Sequence, residues 1–269
     1  MKGMVMMRLI AVDWSGDCTD RGQRDRIRIA DWQDGRVSVE GGRTREQACR
    51  WLIAAARQTP QLAVGLDFAF SFPAWFLRAQ GCATVRQFWQ LAEREGERWL
   101  ASCVPPFWGR GKGSRCPSDH RQPHWRGFRA TDRAIRIAGI QPKSPFQIGG
   151  AGAVGTGSLR GLPHLLQLQQ AGFSIWPFDP PLLPVVFEMY PRLFTGPLRK
   201  SSAAARAAHL QSAPFAALPP AVLASARHSE DAFDALCSVM GMAAAADRLS
   251  ALPPVTGPDA LLEGAIWQP

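Results

Sequence analysis

Four aspartates stand in settings where a carboxylate is costly or well placed for chemistry. Asp13 ends the apolar run Leu9-Ile10-Ala11-Val12, and Asp67 follows Leu62-Ala63-Val64-Gly65-Leu66. Asp231 and Asp234 lie three residues apart in Ser229-Glu230-Asp231-Ala232-Phe233-Asp234, so on a helix they share one face. A charge on a core strand is expensive unless it is paired or bound to metal. Hard cations such as Mg2+ or Mn2+ take oxygen ligands, and two-metal phosphoryl chemistry needs converging carboxylates that hold the ions about 3.5–4 Å apart. One ion then generates the attacking hydroxide while the other stabilises the leaving oxygen. Each residue also has a plainer reading. Asp13 can cap a turn through its own side chain, Asp67 can pair with an arginine in the core, Asp231 suits the positive start of a helix, and Asp234 can sit on a solvated face. Glu188, in the apolar run Val185–Pro191, fits a salt bridge or a strand-end surface position at least as well as a metal role.

Stepping outward, the elements that must carry these residues follow from periodicity. Residues 9–13 form a continuous apolar run suited to a buried strand. Arg26–Trp32 and Val37–Glu40 alternate, with Asp34-Gly35 between them, which predicts an antiparallel hairpin. Thr44-Arg45-Glu46-Gln47 is a capping box for a helix that runs to Pro60. Leu62–Phe68 reads as a central parallel strand. Helical spacing covers 84–101 and is expected again from Pro163 to Ala171. Val185–Tyr190 is a further strand, the Ala-rich region 201–226 gives two short helices, and a last helix starts at the N-cap Ser229 and runs to about Leu249. The expected fold is α/β: a mixed five-stranded sheet, its first three strands antiparallel, with helices on both faces. One domain spans 7–269, with a basic Gly/Arg/Trp-rich insertion at about 105–160.

The 269 residues carry a net charge of +9 and a pI near 10.0, which favours polyanionic partners. No apolar run approaches the ~18 residues needed to span a bilayer, so no membrane role and a cytoplasmic location are expected. The six cysteines are scattered without a CxxC pair and read as reduced thiols.

The insertion concentrates the charge. Between Pro105 and Arg136 lie Arg110, Lys112, Arg115, Arg121, Arg126, Arg129 and Arg133, against Asp119 and Asp132 alone. Interleaved Trp108, Trp125 and Phe128 could stack on bases while the cations contact phosphates; a solvated flap has the same composition. Cys103, Cys116, His120 and His124 suggest zinc by residue type, but the spacing lacks the close pair of a structural site. Gly150-Ala151-Gly152-Ala153-Val154-Gly155 satisfies GxGxxG without the preceding strand or the acidic residue about 20 positions on that give the motif its meaning. It reads as a flexible connection. His228 reads as a surface histidine.

Beyond these readings the chain resembles a known family. VDWSG, GLDFAFSFP, PPFWGR, KSPFQIGGAGAVG, IWPFD, FEMYPRLF, SEDAFDAL and the terminal EGAIWQP are similar to a family of predicted RNase H-like nucleases, classed as a domain of unknown function, and the resemblance covers nearly the whole chain. It implies the ribonuclease H-like fold, in which acidic residues of the first and fourth strands and the last helix hold two metals. On that basis Asp13, Asp67, Asp231 and Asp234 take the metal positions, with Glu188 as an additional catalytic candidate and Mg2+ or Mn2+ as cofactor. Arg110, Lys112, Arg115, Arg126, Arg129, Trp108 and Trp125 are the expected nucleic-acid contacts. Glu46 lies too near its helix start to match the helix glutamate of ribonuclease H proper. The expected activity is metal-dependent phosphodiester hydrolysis of DNA or RNA. An ATP-using phosphotransferase on a related actin or sugar-kinase-like scaffold, or a non-catalytic nucleic-acid-binding module, are the alternatives.

Overall fold

A computed structural model describes residues 7–111, 115–118 and 125–269. Lys112, Asp119, His120, Arg121 and His124, named above as contacts, charges or zinc candidates, lie outside the described residues. In chain order the elements are β1 (Arg8–Asp13), α1 (Asp20–Arg26), β2 (Arg28–Gln33), β3 (Arg36–Glu40), α2 (Arg45–Gln58), β4 (Leu62–Leu66), α3 (Ala74–Ala79), α4 (Val85–Ser102) and α5 (Ala130–Ala134). There follow α6 (Val154–Gln170), β5 (Ser174–Trp176), β6 (Val185–Glu188), α7 (Arg192–Thr195), α8 (Ala203–His209), α9 (Pro220–His228), α10 (Glu230–Ala244), α11 (Ala246–Ser250) and α12 (Ala260–Glu263).

The strands form one mixed sheet in the order β3-β2-β1-β4-β6-β5. β1, β2 and β3 pair antiparallel, whereas β4 runs parallel to β1, and β6 parallel to both β4 and β5. Among the described residues the sheet therefore has six strands rather than the expected five. The extra one, β5, is a three-residue edge strand, too short to show alternation in sequence.

Strand alternation assigns each residue to a face. Ile10 and Val12 of β1, Leu62, Val64 and Leu66 of β4 and Val186 of β6 join one core cluster with residues of α2, α4 and α6. Leu9, Ala11, Ala63, Val185 and Phe187 join the other, against Val222 and Leu223 of α9 and Phe233, Leu236 and Val239 of α10. Helices thus cover both faces.

Three local departures have physical causes. Residues 20–26 are helical up to Arg26, where a strand was expected to begin. The segment DRGQRDR has no apolar stripe, and its helix is signalled only by Thr19, whose side chain accepts a hydrogen bond from the Gly22 N–H at 3.0 Å. Of the Gly-rich run read as a flexible connection only Val154 and Gly155 are helical, and they open α6, which begins at Val154 rather than at the expected Pro163 and contains that proline. Its glycines serve close packing. A Cβ on Gly161 would lie 2.6 Å from the Phe68 ring, and one on Gly16 would lie 2.6 Å from the Gly157 nitrogen. Finally, the last helix is divided at Ala245 into α10 and α11.

Candidate acidic site

Alternation brings Asp13 and Asp67 together. Asp13 continues the row Leu9–Ala11, and Asp67 the row Ala63–Gly65, so both turn toward the face covered by α10. β1 and β4 are parallel neighbours, and the Asp67 N–H donates to the Val12 carbonyl at 3.1 Å, which aligns the two strand ends. Gly65, just before the site, leaves room for Met189: a Cβ there would come within 2.8 Å of its sulfur.

From above, α10 supplies the third carboxylate. The helix is capped by Ser229, whose hydroxyl accepts from the Ala232 N–H at 3.1 Å. Asp234, one turn in, is only 2 % exposed and Asp13 only 8 %. Asp13 lies close enough to Asp67 and Asp234 for each carboxylate to disfavour ionisation of its neighbours. Asp231 is half-buried at the rim.

The electrostatics follow from burial and like charge. Burial raises the Asp13 pKa well above its ordinary value, and Asp234, Asp67 and Asp231 push it further, against the opposing pull of Lys200. Burial likewise moves Asp67 to about 7, with Lys200 opposing and Asp234 adding to the shift. Asp234 is raised by burial and moderated by Lys200. Asp231 is raised by burial but faces Arg28 and Arg26, which favour its charged form.

Lys200, which the sequence reading did not single out, is the cation of this cluster. Its ammonium pairs with Asp234 Oδ2. Burial disfavours its charge, but Asp234, Asp67 and Asp13 outweigh that and hold the ammonium above its usual pKa. One sequence signal existed: only four of the 31 basic residues are lysine, and a compact ammonium suits a carboxylate cluster where an arginine fork would not fit as a point charge. Asp234 Oδ1 is buried and has no hydrogen-bond partner.

A cleft of about 530 Å3 opens beside the cluster, lined by Asp67, Lys200, Tyr190, Arg192, Lys143 and the start of α6 at Gly152–Val154. No side chain caps α6, so the positive end of a 17-residue helix faces this cleft.

Glu188 lines the same cleft as Asp67 and adds to the upward shift of its pKa, but it is held by an arginine. It shares the face of Val186 rather than that of Phe187, and its two oxygens accept from Arg129 at 2.7 and 2.5 Å. The Phe70 N–H also donates to it at 2.9 Å. Of its readings, the salt bridge is the one formed.

Arg129 requires a correction. Expected to contact nucleic acid, it is 1 % exposed and its guanidinium is committed to Glu188 and, at 2.8 Å, to Asp132. A buried, doubly paired arginine cannot present itself to a phosphate. The other expected contacts that are described do converge. Arg110, Arg115, Arg126, Trp108 and Trp125 line one cavity of about 700 Å3 together with Trp75, Phe107 and Phe146. The Arg126 guanidinium lies 5.5 Å over the Trp75 ring, and the Trp75 indole N–H donates to the Arg126 carbonyl at 2.6 Å. Arg110 donates to the Ile148 and Leu100 carbonyls.

Asp13, Asp67 and Asp234 offer the oxygen donors a hard divalent cation takes, and the orphan Oδ1 of Asp234 is a donor still to be satisfied. As it stands, Asp234 is paired with Lys200. Among the described residues no three His, Cys, Asp or Glu side chains close around a common point as ready ligands. No helix among the described residues is long and apolar enough to cross a membrane. No protein-family model, curated protein or solved structure matches the chain.

Proposed function

We propose that the protein is a divalent-metal-dependent hydrolase of phosphodiester bonds in DNA or RNA, of the ribonuclease H-like kind. The observation that carries this reading is the convergence of Asp13, Asp67 and Asp234 from β1, the end of β4 and α10, three buried or half-buried carboxylates facing one ammonium. Such a cluster lacks positive charge, and Mg2+ or Mn2+ supplies it together with Lewis-acid activation of water and of the phosphoryl oxygen. Asp13, Asp67 and Asp234 are the ligands and Asp231 tunes the rim.

The surroundings suit an anionic substrate. Lys143, Arg192 and the uncapped start of α6 bring positive potential to the cleft beside an acidic centre, which offsets repulsion between that centre and a polyanion. The arginine and tryptophan cavity adds the combination used to hold single-stranded nucleic acid: cations for phosphate, ring faces for bases.

The test is cleavage of labelled single- and double-stranded DNA and RNA, and of branched junctions, with Mg2+ or Mn2+, beside the Asp13→Asn and Asp67→Asn proteins. Metal-dependent cleavage lost in both variants supports the reading. Absence of cleavage and of metal binding, with ATP hydrolysis in their place, overturns it in favour of phosphotransfer.

A further inference from the structure

The first turn of α6 meets a buried indole whose N–H bonds to nothing. Trp14, the residue after Asp13, is 8 % exposed, and its ring packs against Phe68 and His164 at 5.1 and 5.6 Å between centroids. Its Nε1 is buried and has no hydrogen-bond partner among the described residues, whereas a buried indole N–H normally finds one. The edge that carries this N–H faces α6. Cδ1, the carbon bonded to Nε1, lies 4.0 Å from the point where a Cβ on Gly157 would stand. Trp14 and Gly157 both line the cleft of about 530 Å3, so glycine at 157 leaves the space before the indole open.

α6 adds donors at the same place. Ala153, its cap, has no side chain to offer the first turn. The Gly155 N–H donates to the Gln147 carbonyl at 2.9 Å, but the N–H groups of Val154 and Thr156 make no bond among the described residues. Such groups point outward along the helix axis and carry the positive end of its dipole. Lys143 lies against this wall, its Cε 3.7 Å from the Cβ position of Gly152. It is exposed and makes no ion pair among the described residues. The carboxylates that also line the cleft have cations of their own: Glu188 and Asp132 pair with Arg129, and Asp67 lies in the field of Lys200.

We propose that this corner of the cleft is a phosphate subsite, in which the Val154 and Thr156 N–H groups, the Trp14 indole N–H and the Lys143 ammonium hold a terminal phosphate of a nucleic-acid chain. The inference rests on the hydrolase reading for the source of the phosphate, while the subsite itself needs neither metal nor turnover. An uncapped helix start is a ready anion site, and the unpartnered indole marks where the anion completes it. A donor set of this size suits a phosphomonoester, with three unesterified oxygens and about −1.5 to −2 charge near neutral pH. An internal phosphodiester presents only two such oxygens and a single charge. Asp67 lines the same cleft, so the substrate class is a nucleic acid whose phosphorylated end is recognised beside the acidic cluster.

The experiment titrates inorganic phosphate into the full chain with a metal chelator present, read by calorimetry and by the indole region of proton-nitrogen NMR spectra. The wild type should bind phosphate saturably, and the indole signal that Trp14→Phe removes should move on binding. Trp14→Phe and Lys143→Met should each weaken binding roughly tenfold or more, as loss of a hydrogen bond to a charged group does. Circular dichroism establishes that each variant is folded. Oligonucleotides carrying a phosphate or a hydroxyl at the 5′ end, and then at the 3′ end, identify the source: one phosphorylated end should bind roughly tenfold more tightly than its hydroxyl counterpart. Absence of saturable phosphate binding, an unmoved Trp14 signal, or wild-type affinity in either folded variant overturns the subsite. Phosphate binding without preference for either phosphorylated end overturns the assignment to a chain end. None of these results bears on the cleavage test, so the hydrolase reading stands or falls separately. Should Trp14→Phe not fold, Lys143→Met decides.

Discussion

Arg129 and Glu188 form a two-pronged ion pair, at 2.7 and 2.5 Å, with both side chains almost wholly removed from solvent. The pair joins the insertion to β6, and Asp132 completes it from within the insertion. Glu263 extends the junction: it accepts from the Ala74 and Ala130 N–H groups at 2.8 and 2.7 Å. Removing one partner strands a buried charge, so Arg129→Ala is expected to cost about 3–5 kcal/mol of stability. Urea unfolding followed by circular dichroism measures this. A near-neutral result would mean that the pair is not buried in solution.

Asp13→Asn and Asp234→Asn should abolish cleavage while the chain stays folded. Asp13→Asn removes a carboxylate from a cluster where like charges are confined, so without metal its melting temperature should stay level or rise, whereas Asp234→Asn also strips Lys200 of its partner and should lower it. Differential scanning calorimetry at neutral pH tests it; a large fall for Asp13→Asn would show that carboxylate to be structural.

Stability without metal should depend on pH with a definite sign. Burial raises Asp67 in the fold from an ordinary 3.8 to about 7, so between those values the folded chain binds the proton more tightly than the unfolded one. This contribution to stability is therefore complete below about pH 4 and declines as pH rises through about 7. Asp13 and Asp234 are shifted in the same direction. Melting temperatures measured from pH 5 to 8 should fall, and Asp67→Asn should flatten the slope. Added Mn2+ should stabilise most at the alkaline end, where it no longer competes with the proton.

Binding of single-stranded nucleic acid should weaken on change of the aromatic cavity. Trp125→Ala is expected to cost about 1–3 kcal/mol through lost stacking. Arg115→Ala and Arg126→Ala should each lower the salt dependence by about 0.7 for every phosphate contact removed. Fluorescence anisotropy over a salt series reads both. Unchanged low-salt affinity in all three variants would remove the cavity from the nucleic-acid path.

Gly161→Ala should destabilise by about 1–3 kcal/mol, because its Cβ would meet the Phe68 ring at 2.6 Å and one of the two must move. A chemical denaturation midpoint equal to that of the wild type would show that α6 can shift to accept it.

Much of this architecture was legible in the sequence. The strands bearing Asp13 and Asp67, the capped helix bearing Asp231 and Asp234, and the antiparallel start of the sheet all follow from local pattern. What stayed hidden depends on contacts across the chain. Arg129 and Arg126 stand three apart in the same basic stretch, yet one is buried against Glu188 and the other exposed, a distinction that charge patterning cannot make. Lys200 sits in a featureless turn, and its importance arises from carboxylates far away in the chain, above all Asp234, 34 residues later. The Gly-rich start of α6 misleads because glycine lowers helix propensity, whereas here the small residues answer to Phe68 and Gly16.

The alternation that turns Asp13 and Asp67 toward α10 has a consequence for folding itself. A one-residue slip of β1 against β4 would exchange the faces of every side chain on the strand and drive the Asp13 carboxylate toward the hydrocarbon around Trp14 and Phe68, whose rings pack at 5.1 Å. Burial of an unpaired charge there is far costlier than loss of a methyl contact. The acidic residues thus act as a register gauge: they penalise mispaired sheets, so the groups proposed to carry the chemistry also help select the one pairing in which that chemistry is possible.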